Sequence, residues 1–225
     1  MILSIAAITD EVKLAEIDGK LGALTWQDGR ATAGAVAREV KRNSQAVMSD
    51  TAWRDLSALL GPTIAENAVV KAAARPRRIS NPMVSKTEDG GHYGAHVDNA
   101  IMGTGNARMR TDISFTLFLS DPESYEGGEL VIHTAGMTQS IKGKPGELIL
   151  YPSTSIHEVR PVTSGTRIVA VGWIESTIRD DHQREMLFDL ENLRTTLRQK
   201  LPGGSAELLT IDKTIANLLR MWGQV

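Results

Sequence analysis

The sequence predicts an α+β fold, an antiparallel barrel or jelly roll with helical segments before and after it. Three observations carry that reading. Between residues 78 and 176, short β-type runs follow one another, separated by Gly, Pro and Asp, with no helix-length interval of the kind a βαβ unit needs. Residues 1–77 hold Ala-rich and apolar-striped stretches of helical spacing. Residues 177–225 hold two further apolar stripes with a sharp break between them. The expected organisation is therefore an N-terminal helical segment over 1–77 that packs on the core, a β core over 78–176 and a C-terminal helical region over 177–225.

Each element has a local reason. Thr9 or Asp10 is placed to cap a first helix carrying Val12, Leu14 and Ile17. Ala-rich sequence from Thr32 to Met48 predicts a second helix, with Ala35, Val36, Val40 and Val47 as its apolar contacts. A third runs from Trp53 to Leu60 and is expected to end at Gly61-Pro62, and a fourth spans Ile64 to Ala74, ahead of Pro76. In the core, Ile113 to Leu119 alternates with period two. Glu129 to Ile132 follows a Gly127-Gly128 turn, Glu147 to Tyr151 precedes Pro152, and Arg167 to Ile174 closes the series. Beyond it, Met186, Leu190, Leu193, Leu197 and Leu201 form one helical stripe, and Leu208, Ile211, Ile215, Leu218 and Trp222 form another. Pro202-Gly203-Gly204 separates them, which reads as an αα-hairpin. The second stripe is too regular to face water. It either covers the barrel and the first hairpin helix or meets the same stripe of a second copy in a homodimer.

Composition narrows the chemistry. The 225 residues include 25 Lys+Arg and 27 Asp+Glu, a formal charge of -2 that offers no basic footprint for nucleic acid or membrane. With no Cys, disulfides, thiol nucleophiles, Cys-ligated zinc and iron–sulfur clusters are excluded, which suits a reducing cytoplasm. No apolar run approaches the length of a transmembrane span, and the apolar N-terminus lacks the basic region of a signal peptide.

Of five histidines, His96 is paired with Asp98 in His96-Val-Asp98, which puts imidazole and carboxylate on one side of an extended segment. The pair alone is a weak signal. Its Gly-rich approach, its place ahead of the strand series and a further histidine, His157, 59 residues past Asp98 make it a candidate metal site. Two neutral imidazoles and one carboxylate on one face of a metal form the facial triad of non-haem Fe(II) oxygenases, with open positions for co-substrate and dioxygen. Ten residues past His157, Arg167 opens an apolar strand. A guanidinium facing into a barrel is costly unless it meets an anion, and its fork suits a carboxylate. Val169, Val171 and Trp173 share its strand face. His133 and His182 have no partner at a suitable spacing, and His92 reads as a loop residue.

The segments Pro82 to Ile101, Arg110 to Pro122, Tyr125 to Ile132, Gly146 to His157 and Arg167 to Trp173 closely resemble the PKHD-type hydroxylases, Fe(II)/2-oxoglutarate dioxygenases related to the prolyl hydroxylases. Asp28 to Gly34, Ile178 to Arg184 and Leu187 to Leu190 extend the likeness over most of the chain. The resemblance implies a double-stranded β-helix (jelly-roll) core with flanking N-terminal helices and a C-terminal αα-hairpin. It implies that His96, Asp98 and His157 ligate Fe(II), and that Arg167 pairs with the far carboxylate of 2-oxoglutarate. The co-substrate would leave as succinate and carbon dioxide while a substrate is hydroxylated, with ascorbate as the reductant. Asp98 points to hydroxylation, because related halogenases vacate the carboxylate position.

The chain also departs from the family pattern. Where a Phe-Asn-Arg-Tyr stretch is usual, it reads Val84-Ser-Lys-Thr87, so the tyrosine that helps hold the co-substrate is missing there. Lys86, Tyr93 and Tyr151 are the candidates to replace it. The segment from Thr134 to Lys144 is also unlike its counterpart. Nucleic-acid dealkylases of the same superfamily carry a second arginine six residues after the first, where this chain has Trp173. A jelly-roll module that binds metal or 2-oxoglutarate without turnover is the rival from another class. The substrate, a prolyl residue or a small metabolite, is not legible in the sequence.

Overall fold

Strand pairing is built around the segment whose alternation is clearest. In a computed structural model that describes residues 1–32 and 38–224, Ile113–Phe118 pairs antiparallel with Glu147–Pro152 on one side and with Arg167–Ser176 on the other. The full sheet runs Leu3–Ala6, Glu147–Pro152, Ile113–Phe118, Arg167–Ser176, Met83–Thr87, Ser44–Ala46 and Trp26–Asp28, and Pro76–Ile79 also pairs with Arg167–Ser176. A second antiparallel sheet runs Met137–Ile141, Leu130–Thr134, Ile156–Val159, His92–His96 and Lys41–Arg42.

Period-two alternation sends successive side chains to two different cores. Phe115, Leu117, Leu148 and Leu150 face the helices and pack with Ile17, Leu56, Leu60 and Ile64. Phe118, Ile149, Tyr151 and Val169 face the other way and pack with Leu130 and Ile132 of the second sheet. Both faces of the large sheet are thus covered, which is why all six residues of Ile113–Phe118 are buried. Two facing antiparallel sheets with helices on the outer face make a double-stranded β-helix, or jelly roll, in an α+β fold.

The N-terminal stretch differs from its sequence reading. The first helix, Glu11–Leu21, forms as expected, with Asp10 accepting from the backbone of Val12 and Lys13. The helix expected over Thr32 to Met48 does not form at its C-terminal end: Lys41–Arg42 and Ser44–Ala46 are strands, one in each sheet. The part of that expectation over residues 33–37 lies outside the described residues. Tertiary pairing overrides the helical propensity, because Lys41 and Gln45, two side chains on the inner face, are buried. The third helix also runs further than expected, from Thr51 to Glu66 through Pro62. Trp53, Leu56, Leu60 and Ile64 are buried on one face, and that burial outweighs the backbone bond lost at the proline. A separate helix, Ala68–Ala74, then starts at Asn67, whose side chain accepts from Val69 and Val70.

The C-terminal hairpin forms from Asp181–Lys200 and Ala206–Trp222. Ile211 and Ile215 pack with Ile178 and Leu187, and Leu190, Leu197, Leu218 and Trp222 extend the cluster. Arg194 and Arg198 both reach Asp212 across the hairpin, and Arg75 pairs with Glu191 at 2.8 Å to tie it to the body. The regular stripe is therefore covered by the first helix of the hairpin. Among the described residues no helix is long and apolar enough to cross a membrane.

Candidate active site

His96 ends its strand directly opposite His157 in the antiparallel register, so both imidazoles leave the sheet on one face. Their ring centroids lie 4.3 Å apart with the planes tilted by 53°. Asp98 follows two residues later, and its Oδ2 lies 3.7 Å from His157 Nε2. One donor atom from each of His96, Asp98 and His157 falls within 4.8 Å of the others, the only such group of metal-ligating side chains among the described residues.

Surrounding groups fix these donors. His96 Nδ1–H donates to Gly94 O at 2.8 Å and His157 Nδ1–H to Ser155 O at 3.1 Å. A carbonyl can only accept, so each ring keeps its Nε2 lone pair for the centre. Burial, and then the neighbouring His157, lower the pKa of His96 to about 4 against the opposing pull of Gly94 and Asp98. The ring is neutral at pH 7, as a metal ligand must be. Tyr93 stacks on His96 with centroids 3.6 Å apart, and Tyr151 meets His157 edge-on at 5.0 Å. Ser114 Oγ donates to Asp98 Oδ2 at 2.5 Å and shares a 2.7 Å contact with Ser153 Oγ.

Arg167 lines the same cavity and is only 2 % exposed. Burial lowers its pKa to about 10, with Tyr125 and Tyr151 opposing, so it stays a cation at pH 7. Its guanidinium carbon lies 5.4 Å from the Phe118 ring centroid, and its Nε is buried with no hydrogen-bond partner. Among the described residues no ion pair satisfies it. A buried guanidinium in that state suits an anion, and a carboxylate matches its fork. Gly127-Gly128 makes the close approach possible: at Gly128, with φ +69°, a Cβ would lie 2.9 Å from Arg167 Cδ and 3.1 Å from Tyr125 Cε2. The donor set and a buried arginine with no carboxylate partner among the described residues fit an Fe(II) ion and a dicarboxylate co-substrate.

The expected residues thus converge: His96, Asp98, His157 and Arg167 line one cavity, and Val169, Val171 and Trp173 line it with Arg167. His133 and His182 stay outside it, the first against Thr138 and the second exposed. His92 lies in a strand rather than a loop, because it pairs with Arg42, and it faces an outer cleft. Of the candidates for the missing tyrosine, Lys86 is turned away. On its strand Met83, Ser85 and Thr87 face the cavity, and Lys86 pairs with Glu88 at 2.7 Å. Tyr93 and Tyr151 do line the cavity. Burial raises Tyr151 far above the usual phenol range, Asp98 raises it further, and Thr116 and Arg167 oppose. Tyr151 shares the cavity with both Asp98 and Arg167. Lys41, Ser114 and Ser153 were not legible as site residues. Only the inward alternation of Ser114 on its strand, and of Lys41, Asn43 and Gln45 on theirs, could have signalled them.

Residues 82–175 match the 2OG-Fe(II) oxygenase superfamily, and residues 181–224 match the PKHD-type hydroxylase C-terminal domain. A PKHD-type hydroxylase of Hyphomonas neptunium is 50% identical over 94% of this chain and 95% of its own length. One from Synechococcus elongatus is 45% identical over 100% of both chains. A solved viral collagen prolyl hydroxylase from Paramecium Bursaria Chlorella virus-1, in its 2OG complex, is 19% identical. It covers 78% of this chain and 96% of its own at a TM-score of 0.52, a likeness of fold. The chain belongs to the PKHD-type hydroxylases and is an Fe(II)- and 2-oxoglutarate-dependent dioxygenase.

Proposed function

We propose that His96, Asp98 and His157 hold the Fe(II), that Arg167 binds the far carboxylate of 2-oxoglutarate, and that a prolyl residue or a small metabolite is hydroxylated in the same cavity. The observation that carries this is the pairing of three fixed donor atoms with a buried arginine, whose Nε has no hydrogen-bond partner, in one cavity. Bound iron supplies the activation of dioxygen. Ser114 keeps Asp98 aimed at the centre, and the Gly94 and Ser155 carbonyls hold both imidazoles in the ligating tautomer. Phe118, Val169 and Val171 exclude water around the co-substrate. Tyr151 takes the part of the missing tyrosine and donates to the co-substrate between the metal centre and Arg167.

Ascorbate serves as the reductant and the cytoplasm as the compartment in this reading. Trp173, in place of a second arginine, and the formal charge of -2 argue against a nucleic-acid substrate. Any homodimer uses a surface other than the covered hairpin stripe. The test is to incubate the Fe(II)-loaded protein with 2-oxoglutarate and extracts of peptides and metabolites. A mass gain of one oxygen that requires both additions, with matching succinate, is expected. Metal and 2-oxoglutarate binding with no succinate release would instead make the protein a sensor.

A further inference from the structure

Arg167 has a buried neighbour that lies behind it rather than in the cavity. Tyr125 opens the short strand Tyr125–Gly127 and does not line the cavity that Arg167 faces. The backbone of Gly128 sits between the two side chains: a Cβ there would lie 2.9 Å from Arg167 Cδ and 3.1 Å from Tyr125 Cε2. Cδ carries Nε, and Cε2 adjoins the ring carbon that bears the hydroxyl. Tyr125 Oη therefore stands on the Nε side of the guanidinium. Both atoms are buried, and neither has a hydrogen-bond partner. The two groups nevertheless act on each other. Burial pushes the Tyr125 phenol up and Arg167 opposes it, while burial lowers Arg167 and Tyr125 opposes that.

Tyr125 is itself held in place. Lys142 Nζ donates to its carbonyl at 2.6 Å and lies 4.2 Å from its ring centroid, a cation over the ring face. Lys142 belongs to the segment, Thr134 to Lys144, that departs from the family pattern. The chemistry of the guanidinium then divides the work. Its donors form two forks, Nη1 with Nη2 at the tip and Nε with one Nη at the side. A carboxylate that takes the tip leaves Nε–H buried, and a buried N–H with no acceptor is costly. A phenol that keeps its proton still offers its oxygen lone pairs to that N–H.

We propose that Tyr125 is a positioning residue: its hydroxyl oxygen accepts from Arg167 Nε–H and so presents the Nη1 and Nη2 tip to the far carboxylate of 2-oxoglutarate. This rests on the reading of Arg167 as the anchor of 2-oxoglutarate. Tyr125 acts through Arg167 alone, so it affects only ligands that carry that carboxylate.

The test uses full-length protein loaded with Mn(II) and calorimetric titration with two ligands. One is 2-oxoglutarate; the other is oxalate, which chelates a metal and has no carboxylate beyond its chelating pair. Tyr125→Phe removes one oxygen and keeps the ring under Lys142. It should bind 2-oxoglutarate about tenfold more weakly than the parent, the scale of one charge-assisted hydrogen bond. Oxalate should bind the variant and the parent alike, whereas a merely structural role would weaken both ligands together. In the Fe(II) enzyme the same variant should raise KM for 2-oxoglutarate and leave kcat nearly unchanged. In an Arg167→Lys background, which lacks Nε, Tyr125→Phe should add little. Tyr125→Phe that binds 2-oxoglutarate as the parent does, or that loses oxalate to the same extent, overturns the proposal. Arg167→Lys that binds 2-oxoglutarate as the parent does removes instead the reading of Arg167 as the anchor.

Discussion

His96 and His157 face each other across one antiparallel strand pair, with ring centroids 4.3 Å apart. Strand register sets that spacing, so two of the three proposed metal ligands are in place when the smaller sheet pairs. Asp98 lies beyond the strand end and depends on side-chain contacts for its aim.

Ser114→Ala should therefore weaken metal binding without removing it. Asp98 Oδ2 would lose its 2.5 Å donor from Ser114. Loss of such an outer partner typically lowers metal affinity about 10- to 100-fold. Calorimetric titration with Mn(II) checks this, and unchanged affinity would show that Ser114 has no part in aiming the carboxylate.

Arg167→Lys keeps the charge and loses the two-pronged geometry. The 2-oxoglutarate concentration for half-maximal rate should rise by about tenfold or more, the scale of one lost charge-assisted hydrogen bond. Affinity for the metal should change little. Equal 2-oxoglutarate titrations of the variant and the parent would assign the co-substrate to another residue.

Gly128→Ala should damage both stability and co-substrate binding. The backbone there has φ +69°, and the new Cβ would press on Arg167 Cδ at 2.9 Å. Strain of this kind costs about 1–3 kcal/mol. Urea unfolding measures the first effect and 2-oxoglutarate titration the second.

Stability of the metal-free protein should fall as pH drops from about 6.5 towards 4. His96 is held at about 4 in the folded chain, below the 6.5 usual for a histidine. Above 6.5 the ring is neutral in both states and contributes no pH dependence. Between the two values the unfolded chain takes up a proton that the folded chain does not, which costs about 1.4 kcal/mol per pH unit. Urea midpoints at pH 7.5 and pH 5 test this, and His96→Phe should flatten that part of the profile.

A chain cut after Gly204 loses Leu208, Ile211 and Ile215 from buried positions. Each is worth about 1.5–3 kcal/mol, so the truncated chain should unfold at much lower urea. Sedimentation of the full chain at several concentrations tests self-association independently of that loss.

What was legible in the sequence follows the physics of each segment. The strand at 113–118 shows in its alternation of apolar residues with Ser and Thr, and those at 147–152 and 167–176 show as short apolar runs, because both faces of the sheet are covered, and His157 and Arg167 lie in or beside them. The hairpin stripe imposes its own period of three and four. Lys41 escaped because its strand is two residues long and follows an Ala-rich stretch whose local propensity is helical; only pairing with Tyr93 makes it extended. Pro62 misled for the opposite reason, since the buried face of Leu60 and Ile64 carries the helix past a local breaker. Ser114 carries no signal of its own, because its role exists only once Asp98 is folded against it.

The most direct test of the central claim is metal titration of the parent beside His157→Ala, with succinate release measured on the same samples. The parent should bind about one Fe(II) per chain, as a single facial triad requires, and release succinate from 2-oxoglutarate. His157→Ala should keep its circular dichroism spectrum and lose succinate release. Parent-level metal binding and succinate release in His157→Ala would contradict the assignment of the centre to His96, Asp98 and His157.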